Sequence, residues 1–373
     1  MQHNVQGEPR GQHFLLSKEV RDFTLWDIAQ MSEEECFWKF VELRWGNIEK
    51  VVCPDCGTID RPYARLKRGQ LRCRSCHHHF SPMVNSPFAD RKMEFKKLMM
   101  AFSLYTASAK GVPALFMSRL LDMQDKTATA LTGKLREVLL TERDDEILTG
   151  VIEVDGGYFC GKPRKANVRL KSTPADKQAA IQARLNGDPF PNRKPRNKQE
   201  AKNWAKRMKL RRVVMVLREI HPEKGNGAVK TRVAIAYSEN ADVAAKLARQ
   251  LVEEKSTIMT DENAAYTVLS TWYDHRSVQH AFQYVDPDGV NENQAESFFT
   301  RMRRAEYGTF HGYRPKYLMD YAQEFAWRED MRRTTEHEKL KDLMGRLFNT
   351  GLSKWWRGYW QGINRAGEYE VVT

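Results

Sequence analysis

The stretch LTGVIEVDGGYF, Leu148–Phe159, decides the fold. From Arg91 to Leu140 apolar residues recur at helical spacing. Here they alternate, Ile152 and Val154 against Glu153 and Asp155, which is the period of a half-buried strand. Val213–Ile220 and Val229–Tyr237 read as two further strands, joined by a turn containing Lys224-Gly225-Asn226-Gly227. Ala241–Glu254 reads as an amphipathic helix, Ser256–Thr260 as a short strand ending at Asp261, and Asn293–Tyr307 and Pro315–Arg328 as helices. The order is therefore strand, strand, strand, helix, strand, then helices.

That order is the ribonuclease-H-like α/β layout, in which neighbouring strands bring two aspartates together and a later helix adds a third group. Asp155 lies near the end of the first strand, Asp261 directly follows the fourth, and Asn293 and Glu296 open a helix. Clustered carboxylates suit a pair of hard cations, Mg²⁺ or Mn²⁺, roughly 3.5–4 Å apart, that activate a nucleophile and stabilise a leaving oxygen. Each acid alone has a plainer reading. Asp261 can cap a helix beginning near Glu262, and Glu153 is either a second acid in the site or a structural ion pair. Seven residues, two helical turns, separate Glu296 from Arg303, so both lie on one face with Asn293 nearby, able to hold metal and scissile phosphate together. The break after Tyr307 turns His311 back toward this region, while His275 and His280 read as structural.

Upstream, Phe23–Trp45 reads as two short helices, the second opened by a capping box of Ser32 and Glu35. Cys53-Pro-Asp-Cys56 and Cys73-Arg-Ser-Cys76 are two CxxC pairs separated by 16 residues, and they hold four of the six cysteines. Two such pairs offer four thiolates for tetrahedral Zn²⁺ and leave no open position for catalysis, so the zinc is structural. Tyr63–Arg72 suits a strand of this ribbon, and His77, His78 and His79 read as surface or DNA-facing residues. Phe95, Leu98, Met99 and Phe102 form one helical face. Pro113–Leu121 and Asp125–Leu139, joined by a short turn, have the lengths of a helix-turn-helix; Asp125 caps the second helix, whose Lys126, Thr127 and Thr129 would face a DNA groove. An ordinary helical hairpin fits the same pattern.

The chain has 373 residues and a net charge of +13. Between Gly161 and Arg212 stand 17 Lys/Arg and 3 Asp/Glu, a local excess of +14, leaving the rest near neutrality. This block either binds a polyanion or is a solvated face, and its Lys162, Arg164, Lys165, Arg193, Lys194 and Arg196 are candidate DNA-phosphate contacts. No apolar run is long enough to span a bilayer and no secretory signal is visible, so a cytoplasmic protein near the nucleoid is expected. The expected architecture is multidomain α+β: N-terminal helices at 1–50, zinc ribbon at 51–90, helix-turn-helix region at 91–147, α/β catalytic domain at 148–330 with a basic insertion at 162–212, and a helical tail at 331–373. In the tail, Trp355, Trp356 and Trp360 sit on one further helix, as core or as an assembly surface.

In this succession the chain resembles the zinc-ribbon DDE transposases of bacterial insertion sequences, the fifteen-ninety-five (ISXO-like) family. The resemblance is carried by Arg44-Trp45, CPDCG, CRSCHHHFS, KGVPALFMSRLLDMQDKTATALTGKLREVL, EVDGGYFCGK (Glu153–Lys162), TDENAAY (Thr260–Tyr266) and NQAESFFTRMRRAEYGTFH (Asn293–His311). It implies an RNase-H-like domain that cuts double-stranded DNA at element ends and joins the 3′ ends to target DNA. Asp155 and Asp261 fall on the family's first two metal-binding aspartates. Asn293 falls on its variable third position, with Glu296 the competitor, and Arg303 on a basic position after it. Where the family has an acid directly after the first aspartate this chain has Gly156, and its aliphatic GGK turn is replaced by Phe159-Cys160-Gly161-Lys162.

The function so implied is a DNA transposase working by two-metal phosphodiester hydrolysis and transesterification, as a homodimer or larger homo-oligomer. Two rivals share most of these features: a non-catalytic DNA-binding descendant of such an enzyme, and a structure-specific nuclease of the same fold.

Overall fold

The computed structural model describes residues 12–160, 178, 181–182, 198–223, 226–278 and 293–373. Helices Leu25–Gln30 (α1) and Glu33–Trp45 (α2) each open on a capping box. At α2 the Ser32 hydroxyl accepts from the Glu35 N–H at 3.2 Å and the Glu35 carboxylate accepts from the Ser32 N–H at 2.7 Å, so two otherwise orphaned donors are paired.

The ribbon follows. Tyr63–Arg65 (β1), Gln70–Arg72 (β2) and His79–Phe80 (β3) form an antiparallel three-stranded sheet. The single strand expected over Tyr63–Arg72 is thus a hairpin. It breaks at Gly69, whose φ of +59° suits glycine, and a Cβ there would lie 2.7 Å from the Phe95 ring. The ribbon therefore sits on helix Phe95–Ala107 (α3), whose Phe95, Leu98, Met99 and Phe102 are all buried.

Ala114–Leu120 (α4) and Asp125–Thr141 (α5) form a short helical pair. Asp125 does not cap α5. Gln124 holds the cap position without a side-chain bond, and the Asp125 carboxylate instead accepts from the Ser118 hydroxyl at 2.6 Å, tying the second helix to the first.

The second sheet contains Val151–Phe159 (β4), Arg212–Ile220 (β5), Ala228–Ala236 (β6), Thr257–Asp261 (β7), Asp274–Val278 (β8) and Val371–Val372 (β9), in the order β8-β7-β4-β5-β6-β9. β4, β5 and β6 run antiparallel, while β7 lies parallel to β4 and β8 parallel to β7. Within the basic stretch, Lys198–Lys209 is helical (α6). Side chains alternate across a sheet. Ile152, Val154, Met215 and Leu217 therefore meet helix Ala241–Leu251 (α7) and the 3₁₀ segment Ala264–Thr271 on one face. Phe159, Val214 and Val216 meet helices Asn293–Gly308 (α8) and Leu318–Asp330 (α9) on the other.

Helix Glu336–Thr350 (α10) returns to the N-terminal core with Leu340, Leu343, Met344 and Leu347. Trp355, Trp356 and Trp360 do not share a helix. Gly351 and Gly358, at φ of +76° and +78°, interrupt the chain, which holds only a 3₁₀ turn at Tyr359–Gln361. Glu137 of α5 anchors this segment, accepting from the Ser353 hydroxyl at 2.5 Å and the Lys354 N–H at 2.6 Å. The Trp356 ring lies where a Cβ on Gly133 would be, 2.2 Å away.

The helical N-terminal part and the large sheet are joined by buried charge. Glu324 of α9, fully buried, accepts from Arg136 of α5 at 2.7 Å and from Arg328 at 2.7 Å. Arg328 also donates to the Tyr105 and Ser108 carbonyls at the end of α3. Among the described residues no helix is long and apolar enough to cross a membrane.

Candidate active site

Register brings the acids together. Glu153 of β4 is the last residue paired with the parallel β7, opposite Met259, so Asp155 and Asp261, each two residues further on, come together just past that pairing. Asp155 is the middle residue of β4, which runs on to Phe159, and not near its end as expected. A third carboxylate joins them from the turn between β6 and α7. Carboxylate oxygens of Asp155, Glu239 and Asp261 all lie within 4.8 Å of one another.

Glu239 is the residue that sequence reasoning missed. It stands one residue before Asn240, the cap of α7, in a turn without periodicity. The overlooked signal is Gly156-Gly157. Two glycines inside a strand mark close approaches, and here there is one on each face. A Cβ on Gly156 would lie 2.6 Å from the carboxyl carbon of Glu239, and one on Gly157 would lie 2.4 Å from the Phe299 ring of α8. The buried Tyr266 donates its hydroxyl to Glu239 at 2.7 Å and fixes the carboxylate from behind.

Backbone donors hold the two aspartates. Asp155 accepts from the Gly156 N–H at 2.6 Å, and Asp261 from the Asn263 N–H at 3.0 Å. Burial pushes the Asp155 carboxyl up to about 7. The Gly156 N–H opposes that shift, the charges of Asp261 and Glu239 add to it, and Arg303 counteracts it. Burial also raises Glu239, against the Tyr266 hydrogen bond. Three crowded carboxylates are an all-oxygen donor set that a hard divalent cation fits.

Glu153, one of the alternatives for a second acid, does something else. It is buried, and it accepts from the Gln294 and Ala295 N–H groups at 2.8 and 3.0 Å, clamping the N-terminus of α8 to β4. Asn293 is the first residue of that helix and is exposed. Glu296, one turn on, is exposed and lies outside the carboxylate cluster. Arg303 is close enough for its charge to act on Asp155, and its guanidinium lies 5.6 Å from the Phe299 ring. His275 hydrogen-bonds the Thr260 hydroxyl at 2.8 Å next to Asp261, and His311 is exposed. His280 lies outside the described residues.

The four ribbon cysteines also converge. Their sulfurs lie within 4.8 Å of one another, with Cys53–Cys76 at 3.5 Å and Cys56–Cys73 at 3.7 Å. Zn–S bonds of about 2.3 Å in a tetrahedron put sulfurs about 3.8 Å apart, so the set fits Zn²⁺. His77, His78 and His79 are exposed beside it. Of the candidate DNA contacts, Lys126 and Thr127 are exposed on the first turn of α5, and Thr129 is half-buried, donating to the Asp125 carbonyl at 2.8 Å. Lys162, Arg164, Lys165, Arg193, Lys194 and Arg196 lie outside the described residues.

Residues 147–330 match the ISXO2-like transposase domain, and residues 31–79 match the transposase zinc-ribbon domain. No curated protein matches the chain.

Proposed function

The chain belongs to the IS1595 family of zinc-ribbon DDE transposases, and we propose that it cuts the ends of its insertion sequence and joins their 3′ ends to target DNA at the Asp155–Glu239–Asp261 cluster. The observation that carries this reading is the convergence of three carboxylates, from the middle of β4, the end of its parallel neighbour β7 and the turn after β6, within the matched domain. The strand order β6-β5-β4-β7-β8, with β5 antiparallel to both its neighbours and β7 and β8 parallel to β4, supports an RNase-H-like fold.

In this proposal Asp155, Asp261 and Glu239 would hold a pair of Mg²⁺ or Mn²⁺ ions, with Asn293, or Glu296 in its place, as a further oxygen donor from the first turn of α8. With the ions bound there, activation of the attacking oxygen and stabilisation of the leaving oxygen become available. The chain's own residues supply position. Tyr266 and the bare backbone at Gly156 aim Glu239, while Glu153 locks the start of α8 against the strand that carries Asp155. Arg303 neutralises charge that develops on the scissile phosphate. Cys53, Cys56, Cys73 and Cys76 hold a structural zinc. The ribbon, Lys126, Thr127 and Thr129 of α5, and the basic stretch with Lys162, Arg164, Lys165, Arg193, Lys194 and Arg196 contact DNA, largely through phosphate. Two DNA ends need two sites, so the working form is a homodimer or a larger homo-oligomer, acting in the cytoplasm.

The test is a strand-transfer assay with Mg²⁺ and the DNA flanking the gene, run beside Asp155→Ala. Joined products that vanish in the variant are expected. Cutting without joining would replace this reading with a structure-specific nuclease. End-specific binding with neither reaction would replace it with a DNA-binding descendant.

A further inference from the structure

We infer that the start of α5 carries a nucleobase slot walled by Trp360, in which one base of a bound DNA end is held out of the helical stack. A cavity of about 300 Å³ opens beside the first turns of α5. Its floor is apolar, made of the buried Phe88, Leu98 and Leu131. One wall is Trp360, which is 49% exposed although it is a large aromatic ring.

The ring is held rather than loose. Its Nε1 donates to the Lys126 carbonyl at 3.1 Å, and the Lys126 ammonium lies 5.6 Å from its centroid. Lys126, Ala130 and Lys134 all line the cavity and follow one another four residues apart, so they form one stripe of α5. Ala130, the small residue between them, leaves an opening flanked by two ammonium groups. Lys92 and Arg91 also line the cavity, Arg91 with its guanidinium over the Phe95 ring, and among the described residues no carboxylate lines it.

Charge selects the occupant. A pocket for an apolar side chain of a partner protein has no use for several cations in its lining. An apolar cavity with one aromatic wall and cations in its lining matches a nucleotide within a strand, with its base inside and its phosphates on the rim. Stacking on an aromatic ring offsets the cost of leaving the duplex, and that cost is least at a weakly paired position. Lys126 belongs to the same turn that the proposed function turns toward DNA, and the slot rests on that reading. It adds a base held out of the stack beyond phosphate contact.

The test uses the full chain and duplexes of the element end in which 2-aminopurine replaces one base at a time. The expected result is a fluorescence change on binding at one position. Trp360→Ala abolishes that change and weakens end binding about tenfold, while Trp360→Phe keeps it. Unchanged zinc content and melting temperature show that the variants fold. If no position responds, or the response survives Trp360→Ala, the slot is refuted. If Trp360→Ala instead alters the oligomeric state and leaves DNA binding alone, the cavity takes a protein partner and the slot is likewise refuted. Lys126→Ala separates the two layers of the argument. Undiminished end binding in that variant overturns the DNA-facing reading of α5, whereas weakened binding without a 2-aminopurine response overturns the slot alone.

Discussion

Gly156 and Glu239 occupy one space: a Cβ on the glycine would stand 2.6 Å from the carboxyl carbon of the glutamate. Gly156→Ala therefore has to move a group proposed to bind metal. We expect it to lower strand transfer by about 10- to 100-fold, the scale of a small misplacement in an active site. Mn²⁺ affinity, measured by calorimetry, should fall with it, while the melting temperature changes little. Unaltered Mn²⁺ binding would mean that Glu239 is no ligand.

Tyr266 and Glu239 should act as a unit. Tyr266→Phe removes the 2.7 Å hydrogen bond and leaves the ring in place. Its effect on Mn²⁺ affinity should be clear in the native background and nearly absent in Glu239→Gln. Such non-additivity marks residues that share one interaction. Equal effects in both backgrounds would make Tyr266 a packing residue only.

Zinc removal should reach beyond the ribbon. Cys53, Cys73, Leu71 and Phe80 belong to the same buried cluster as Phe37 and Phe40 of α2 and Phe95 of α3. A strong chelator, or Cys73→Ser, is expected to lower the melting temperature of the helical signal as well as strip about one zinc per chain. Loss of zinc without change in the helical transition would confine the metal's role to the ribbon.

Glu324→Gln leaves Arg136 and Arg328 buried without their counter-charge. Breaking a buried ion pair from one side costs about 3–5 kcal/mol. Urea unfolding should show that loss with little change in the slope of the transition. A cost below about 1 kcal/mol would mean that water compensates the two guanidinium groups.

Much of this architecture is legible in the sequence because short-range periodicity controls it. The alternation around Val154 places β4, the Ser32–Glu35 pair marks the start of α2, and the paired CxxC turns mark the ribbon. What escapes the sequence depends on return paths. Glu239 is brought to Asp155 only because β6 runs back across the sheet, and no local pattern records where a turn will end. Asp125 has the chemistry of a cap but finds Ser118 on the neighbouring helix, a tertiary partner that outweighs the local one. The last tryptophans follow the same rule, because the anchor at Glu137, more than 200 residues upstream, fixes their segment in place of a helix of their own.

The Arg136–Glu324–Arg328 contact also has a metric meaning. Through it α5, α9 and the end of α3 form one frame, and α9 packs on β6 of the sheet that carries the carboxylates. If a DNA end is gripped along α5, as proposed, it is measured against that frame. An extra base pair between the gripped sequence and the cut would add about 3.4 Å of strand that the protein does not stretch to follow. On the proposed function, the scissile bond would shift in sequence while its distance from the grip stayed the same, so the protein would keep a length rather than a letter.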